Sequence, residues 1–489
     1  MSRTALAVSP AVQEIPATPT AALAERLARE VTAFGAAPHL AALQAIADAH
    51  QGNRAVGTGG YAASVDYLAG VLQRAGFDVQ TPTFSYPQEV VEARRLSIGD
   101  VDVAVNRLGR SIDTPPAGLT GPLVALPPGA AGGCAKSDFE GLPTQDAVLL
   151  VRRGGCTFRS KAERAAAAGG IALVVVNEAD TPLTGATLGA PAAIPVGGVS
   201  RSDGDALTRR AGQPATIDLR SRLETRTSRN VLAQTRTGRP DSVVMAGAHL
   251  DSVPAGPGIN DNGSGVAGLL EVALQLGSTP EASHAVRFAW WGAEEVGLLG
   301  SEAYVAGLSA GQRHDIELYL NADMIASPNP GFFVYDGDDS AREGAGPGPP
   351  GSAGIERTLT DYLSRHGVAS QPTDFDGRSD YGPFIRAGIP AGGLFSGAEE
   401  TKSRQQAGLW GGEAGEPFDP CYHQACDNLR NLDDAAFDRH LDALAWAIGS
   451  YAADPVDRRP DGDSGAPPPT WALAPARRTR VVLGVSTRR

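Results

Sequence analysis

Three times between residues 243 and 324, an apolar run of strand length stops on an acid or a histidine. VVMAGAHLD ends on His249 and Asp251, RFAWWGAEE on Glu294 and Glu295, and LYLNADM on Asp323. Short continuous apolar runs of this kind describe strands buried on both faces of a parallel sheet. Helical stretches separate them, GVAGLLEVALQLG first and another around 353–366, and IPAGGLF (389–395) adds a further strand. The alternation over about 228–455 predicts an α/β fold: a mixed, mostly parallel sheet with helices on both faces. Ligand sites in such sheets form beyond the carboxyl ends of the strands, where these polar residues lie.

The rest of the chain divides by texture. Residues 1–35 read as a leader or pro-segment without stable structure. Residues 36–111 read as the first part of the main domain, with an amphipathic helix in GYAASVDYLAGVLQRAGFDVQ (60–80) that Gly76 ends. At 112–222, short apolar runs alternate with Gly and Pro turns around a helical SKAERAAAAGG, which predicts a small β-rich insertion. Residues 223–455 carry the catalytic candidates, and 456–489, rich in Pro, Gly, Asp and Arg, read as a disordered tail. The net charge of -13 argues against nucleic-acid binding and against docking on an anionic membrane. No apolar stretch is long enough for a transmembrane helix, and the N-terminus lacks the apolar core of a signal peptide. The four cysteines contain no CxxC pair. They suggest two disulfides, Cys134–Cys156 and Cys421–Cys426, which favours export; the other reading is four reduced thiols in a cytosolic protein.

Each chemical candidate also has a plainer reading. His249 could be a structural strand-end histidine. With Asp251 two residues on to accept from its second ring nitrogen, it could instead be an oriented metal ligand. Asp261, in the turn GINDNGSG before a helix, could be a helix cap. Glu294 and Glu295 could be an acidic first turn; the sharper reading gives one to metal binding and the other to proton transfer. Asp323 could sit exposed at a strand end. His423 and Tyr422 lie inside the five-residue interval between Cys421 and Cys426, where a disulfide would present both rigidly. Together they supply two His, two Asp and a Glu pair, a donor set that suits zinc.

With those residues in view, the chain resembles the secreted di-zinc aminopeptidases of the Streptomyces type, a zinc-exopeptidase fold. HLDSVPAGPGINDNGSG, RFAWWGAEEVGLLGS, LNADMIASPNPGFFVYD, GRSDYGPF and CYHQACDNL match the family's motifs in order. The resemblance implies two zinc ions. Asp261 would bridge them, His249 and Asp323 would complete one, and Glu295 and His423 the other. Glu294 would be the general base toward a water shared by the metals, Tyr422 an oxyanion donor, and Asp251 the residue orienting His249. A cis peptide at Asp261–Asn262 also follows, as do Arg378 and Asp380 at the substrate pocket; GGLFSGAEETKS (392–403) could supply its apolar wall through Leu394 and Phe395. Some relatives bind calcium at carboxylates matching Asp438 and Asp442.

Tyr381 and Gly382 depart from the His and Ala common in relatives, which points to an altered pocket rim. CAKSDF and VRRGGCTFRSKAERAAAAGGIALVVVNE are similar to a protease-associated (PA) domain, which caps the site in some relatives. The implied activity is release of N-terminal residues, apolar ones preferred, from peptides by a secreted monomer with no nucleic-acid or membrane partner. A carboxypeptidase of the same fold and a non-catalytic receptor are the alternatives. The first calls for an arginine cluster at the pocket, the second for lost ligands.

Overall fold

The computed structural model describes residues 19–127, 132–181, 183 and 186–454. The expected disordered tail at 456–489, and the expected leader up to residue 18, lie outside the described residues. The described residues form two compact units, one within 19–86 and 227–454 and the other within 87–226.

The larger unit is built on an eight-stranded sheet. Its centre is Arg239–His249, flanked in parallel by His284–Trp291 and Ile316–Ala322, and the latter pairs in parallel with Ala391–Phe395. Antiparallel pairing enters on both sides of this block, through Val231–Gln234 and Phe333–Tyr335. Side chains alternate between two cores, as the two-residue period of a strand requires. Val244, Ala246, Phe288, Trp290, Leu318 and Leu320 enter one; Met245, Ala289, Trp291 and Tyr319 enter the other. The first core is closed by helices that include Gly59–Arg74, Gly265–Leu276, Ser352–Arg365 and Asp434–Ala453. The second is closed by Leu299–Gly307 and Tyr381–Arg386. Thr58 caps the helix Gly59–Arg74 by accepting the Tyr61 N–H, and Gly76 follows it at a φ of 86°. That left-handed conformation suits glycine after a helix end.

The segment read as an unstructured leader is corrected from residue 19 onward. Pro19–Glu30 is a helix, and Leu23, Leu27 and Val31 are buried in the first core. Their four-residue spacing gives one apolar stripe, hidden in the sequence by an Ala-rich surround.

The smaller unit holds its own eight-stranded sheet, with helices Phe158–Ala167 and Arg201–Thr208. Parallel strands Leu119–Ala125, Val148–Arg152, Ala172–Val176 and Val196–Val199 form its core, and the Cys134–Cys156 disulfide is present. This unit starts at residue 87, whereas texture put the edge at 112. The reason is the neighbouring pair of sixteen-residue strands, Thr83–Ile98 and Pro214–Arg229, which carry the chain in and out. Their polar, alternating outer halves do not look like an apolar insertion in sequence.

His440, on Asp434–Ala453, is fully buried. Its Nδ1 bonds the Ala436 carbonyl at 2.9 Å and its ring stacks on Phe332 at 4.7 Å. Burial pulls its pKa from 6.5 down to about 4. The unfolded chain therefore binds the proton first, so stability present above pH 6.5 is lost as pH falls toward 4. The effect is about 3 kcal/mol at ~1.36 kcal/mol per unit. In urea unfolding, the stability gap between wild type and His440→Phe should move by about that amount in the variant's favour from pH 7 to pH 4. A gap independent of pH would show that His440 does not carry it.

Candidate metal centre

Parallel register brings the three strand-end motifs to one edge. Gly247 pairs with Asn321, so His249 and Asp323, each two residues on, end level; His249 itself pairs with Trp291. Glu294 and Glu295 follow three and four residues later, after Ala293 at a φ of 60°. Met324 and His423 also hold left-handed φ values of 48° and 57°. Backbone strain of this kind concentrates where side chains must be aimed.

Asp261 sits between two imidazoles. Its Oδ1 lies 3.2 Å from His249 Nε2 and its Oδ2 lies 3.1 Å from His423 Nε2. Asp323 Oδ1 also reaches His249 Nε2 at 3.2 Å, and Glu295 Oε2 reaches His423 Nε2 at 3.0 Å. Two groups able to hold a cation result, His249–Asp261–Asp323 and Asp261–Glu295–His423, with Asp261 common to both.

Asp261 is not a helix cap. The helix Gly265–Leu276 begins after Ser264, and Asn262 Oδ1 accepts the Gly265 N–H. The Asp261–Asn262 peptide is cis. Asp251 acts differently from the expectation. The His249 Nδ1 bond, at 3.0 Å, goes to the Asp251 main-chain carbonyl, while the carboxylate lies 3.9 Å away. That carboxylate accepts instead from the Glu294 and Glu295 N–H groups at 3.2 and 3.4 Å. A residue two positions past a strand end presents its carbonyl back to the histidine more readily than its side chain.

The Asp261 loop is held by residues that motif reading missed. Asp427 accepts the N–H groups of Asn260 and Asp261 at 2.8 and 3.0 Å, and Asp419 accepts from Asn260 Nδ2 at 2.7 Å. Both flank the Cys421–Cys426 disulfide, which is present. From the other side the buried Arg54 guanidinium donates to the carbonyls of Leu250, Pro257 and Gly258, the last two at 2.9 and 2.7 Å. Burial lowers its pKa to about 10, against the pull of Asp251, Asp427, Asp261 and Glu295, and it stays charged at neutral pH. Asn53–Arg54 carries no sequence signal of its own, whereas Asp419 and Asp427 could have been suspected from their place in DPCYHQACDN.

The centre is crowded with negative charge. Burial pushes Glu294 well up and Glu295 to about 7, with neighbouring carboxylates adding to both. Burial also lifts Asp380 to about 7. Burial alone would lower His249, but Asp323 and Glu294 hold it well above its usual value. Glu295 Oε1 is buried with no hydrogen-bond partner. A dication among these oxygens removes the repulsion and gives that atom a partner, and the mixed imidazole and carboxylate set fits zinc.

A cavity of about 320 Å³ opens over the centre, with Met324, Phe333, Tyr335, Phe395 and Phe418 as an apolar wall. Phe395 follows Leu394, which pairs with Ala322, and so stands beside Asp323. Asp374, Asp376 and Glu400 add further acids. Among the described residues, Arg378 is the one Arg or Lys lining it, and it is already bound to Glu399 at 3.0 Å, Glu400 at 3.3 Å and Tyr422 OH at 3.1 Å. The Tyr422 ring stacks on His423 at 3.9 Å. Asp380 does not line the cavity; it is buried, with Oδ1 accepting from Ser301 Oγ at 2.5 Å. Tyr381 is also buried rather than at the rim, and its hydroxyl donates to Asp376 at 2.8 Å.

Residues 230–448 match the model of peptidase family M28, and residues 119–207 match the PA domain. The chain is 52% identical over 421 residues to the "Probable lipoprotein aminopeptidase LpqL" of Mycobacterium tuberculosis, covering 85% of this chain and 84% of that one. It is 40% identical to leucine aminopeptidase 2 of Trichophyton rubrum, covering 84% and 82%. The structure of BSAP, a zinc aminopeptidase from Bacillus subtilis, superposes with a TM-score of 0.70 at 27% identity, over 87% of this chain and 96% of that one.

Replacing Arg54 by Met should lower the stability of the folded protein by roughly 3 kcal/mol or more, because three buried carbonyls lose their donor. Denaturant unfolding of wild type and variant checks this, and a loss under about 1 kcal/mol would refute the clamp.

Proposed function

The chain belongs to peptidase family M28 and is an aminopeptidase with an inserted PA domain, and from that premise we propose a two-zinc centre with Asp261 shared between the ions. The family and its matching zinc aminopeptidase structure point to zinc. The observation that carries the pairing is Asp261, one oxygen toward His249 and the other toward His423. His249 and Asp323 hold one ion; Glu295 and His423 hold the other.

Bound zinc supplies Lewis acidity and makes a water acidic near neutral pH. The protein's own residues do the rest. Glu294, buried at the cavity floor beside these ligands, takes a proton on its carboxylate and returns it to the leaving amine. Its main-chain N–H donates to the Asp251 carboxylate. Tyr422 OH, held by Arg378, donates to the developing oxyanion. The substrate's cationic N-terminus suits a cavity in which Arg378, the one Arg or Lys among the described lining residues, is already committed to Glu399 and Glu400. That commitment also weighs against a carboxypeptidase, which needs a free cation for the substrate carboxylate. The apolar wall supports preference for apolar first residues.

The two disulfides are compatible with an extracellular protein, and no helix among the described residues is long and apolar enough to cross a membrane. Export and a monomeric state are part of this proposal. So is calcium at Asp438 and Asp442. Burial and Asp438 raise Asp442 to about 7, which favours a cation. On the other side, Asp438 Oδ1 already accepts the Ala33 N–H at 2.8 Å.

Elemental analysis should find two zincs per chain, and chelation should abolish leucyl-anilide hydrolysis until zinc is restored. Glu294→Gln should keep the metal and lose roughly 10²–10⁴ in kcat. An unchanged rate removes Glu294 as the base, and a single zinc removes the shared Asp261. For calcium, the ion should raise the Tm of wild type and not of Asp442→Asn; equal shifts would end that proposal.

A further inference from the structure

Asp323 is held at its second oxygen by a hydrogen-bonded chain that starts at a tryptophan. Trp291 Nε1–H donates to Tyr319 OH at 2.8 Å, and Tyr319 O–H donates to Asn321 Oδ1 at 3.2 Å. Asn321 Nδ2–H donates to Ser379 Oγ at 2.8 Å, and Ser379 O–H donates to Asp323 Oδ2 at 2.6 Å. All four residues are buried.

The direction of the chain is forced. An indole N–H can only donate. Tyr319 OH accepts that bond and has one proton, which goes to Asn321. With its carbonyl so occupied, Asn321 turns its amide nitrogen toward Ser379. Ser379 then has one proton left, and the acceptor in reach is Asp323 Oδ2. Oδ1 remains for His249 Nε2 at 3.2 Å. Each link is decided by the one before it, so a donor-only group two strands away sets the aim of a ligand carboxylate.

The packing around the chain is built for it. Tyr319 lies flat on Phe384, with centroids 3.9 Å apart and planes 8° from parallel, so its ring cannot swing away. On the strand between Trp291 and Tyr319 stands Gly247. A Cβ there would fall 2.3 Å from Tyr319 OH and 2.7 Å from Trp291 Nε1. Glycine at 247 leaves the space in which the first bond forms.

We propose that Trp291, Tyr319, Asn321 and Ser379 are positioning residues that aim Asp323 at its ion, and that affinity for the ion on the His249–Asp323 side depends on the whole chain. The inference rests on Asp323 being a zinc ligand. Partners of this kind behind a metal ligand change affinity by about 10- to 100-fold.

Stepwise zinc affinities, measured by chelator competition on the full chain, test it. Ser379→Ala should weaken one of the two zincs about 10- to 100-fold and leave the other unchanged. Ser379→Thr, which keeps a hydroxyl, should restore most of the loss. Tyr319→Phe keeps the stack on Phe384 and stays informative even if Ser379→Ala folds poorly; it should weaken the same ion by a smaller factor. The double variant should be no worse than Ser379→Ala alone, because the tyrosine acts only through the serine. Multiplying losses in the double variant would overturn the relay. So would full affinity at both sites in Ser379→Ala. A wild-type protein that takes up fewer than two zincs would strike the two-ion reading itself, and the relay with it.

Discussion

Asp261 faces His249 with one oxygen and His423 with the other, and most of the unusual structure in the larger unit serves to keep that carboxylate still. The loop that carries it is bonded through its N–H groups to Asp427, through Asn260 to Asp419, and from the far side to Arg54. A carboxylate shared between two ligand sets has no tolerance for rotation, because turning toward one imidazole withdraws it from the other. That requirement explains why a charged guanidinium is buried beneath the loop, where a hydrophobic residue would otherwise pack.

The second constraint is repulsion. Asp251, Asp261, Glu294, Asp323 and Asp380 are all buried close together, and Glu295 is nearly so. Burial drives the pKa values of Glu294, Glu295 and Asp380 upward, and neighbouring carboxylates add to the rise. A fold would not retain such a concentration unless a cation offset it. Acidity and ligand geometry are thus two views of one requirement. Phe333, Phe395 and Phe418 line the same cavity with apolar surface.

Much of the centre was legible because strand ends are legible. His249, Glu294, Glu295 and Asp323 each follow an apolar run, and a parallel sheet delivers the ends of such runs to one edge whatever the loops do. The residues that escaped notice share a different property. Arg54 and Ser379 act across long sequence separations on main-chain groups or on other side chains, and nothing adjacent to them in sequence announces a partner. Asp251 and Asp380 were read in the right neighbourhood with the wrong contact, since a two-residue spacing does not say whether a carbonyl or a carboxylate faces the histidine. The helix Pro19–Glu30 was missed because its stripe of Leu23, Leu27 and Val31 is short and its partners on Asp434–Ala453 lie over 400 residues away.

What the sequence by itself determined was the chemistry: a parallel sheet with His, Asp and Glu at its strand ends, a disulfide-bounded Tyr–His pair, and an inserted β-rich segment. Those follow from local pattern, because hydrophobic period and residue type are properties of neighbours along the chain. Only the tertiary structure decided which oxygen meets which nitrogen, that Tyr381 and Asp380 sit beneath the pocket rather than in it, and that a line of hydrogen bonds from Trp291 ends on Asp323. Hydrogen-bond direction depends on which donor is brought to which acceptor in space, and folding alone makes that choice.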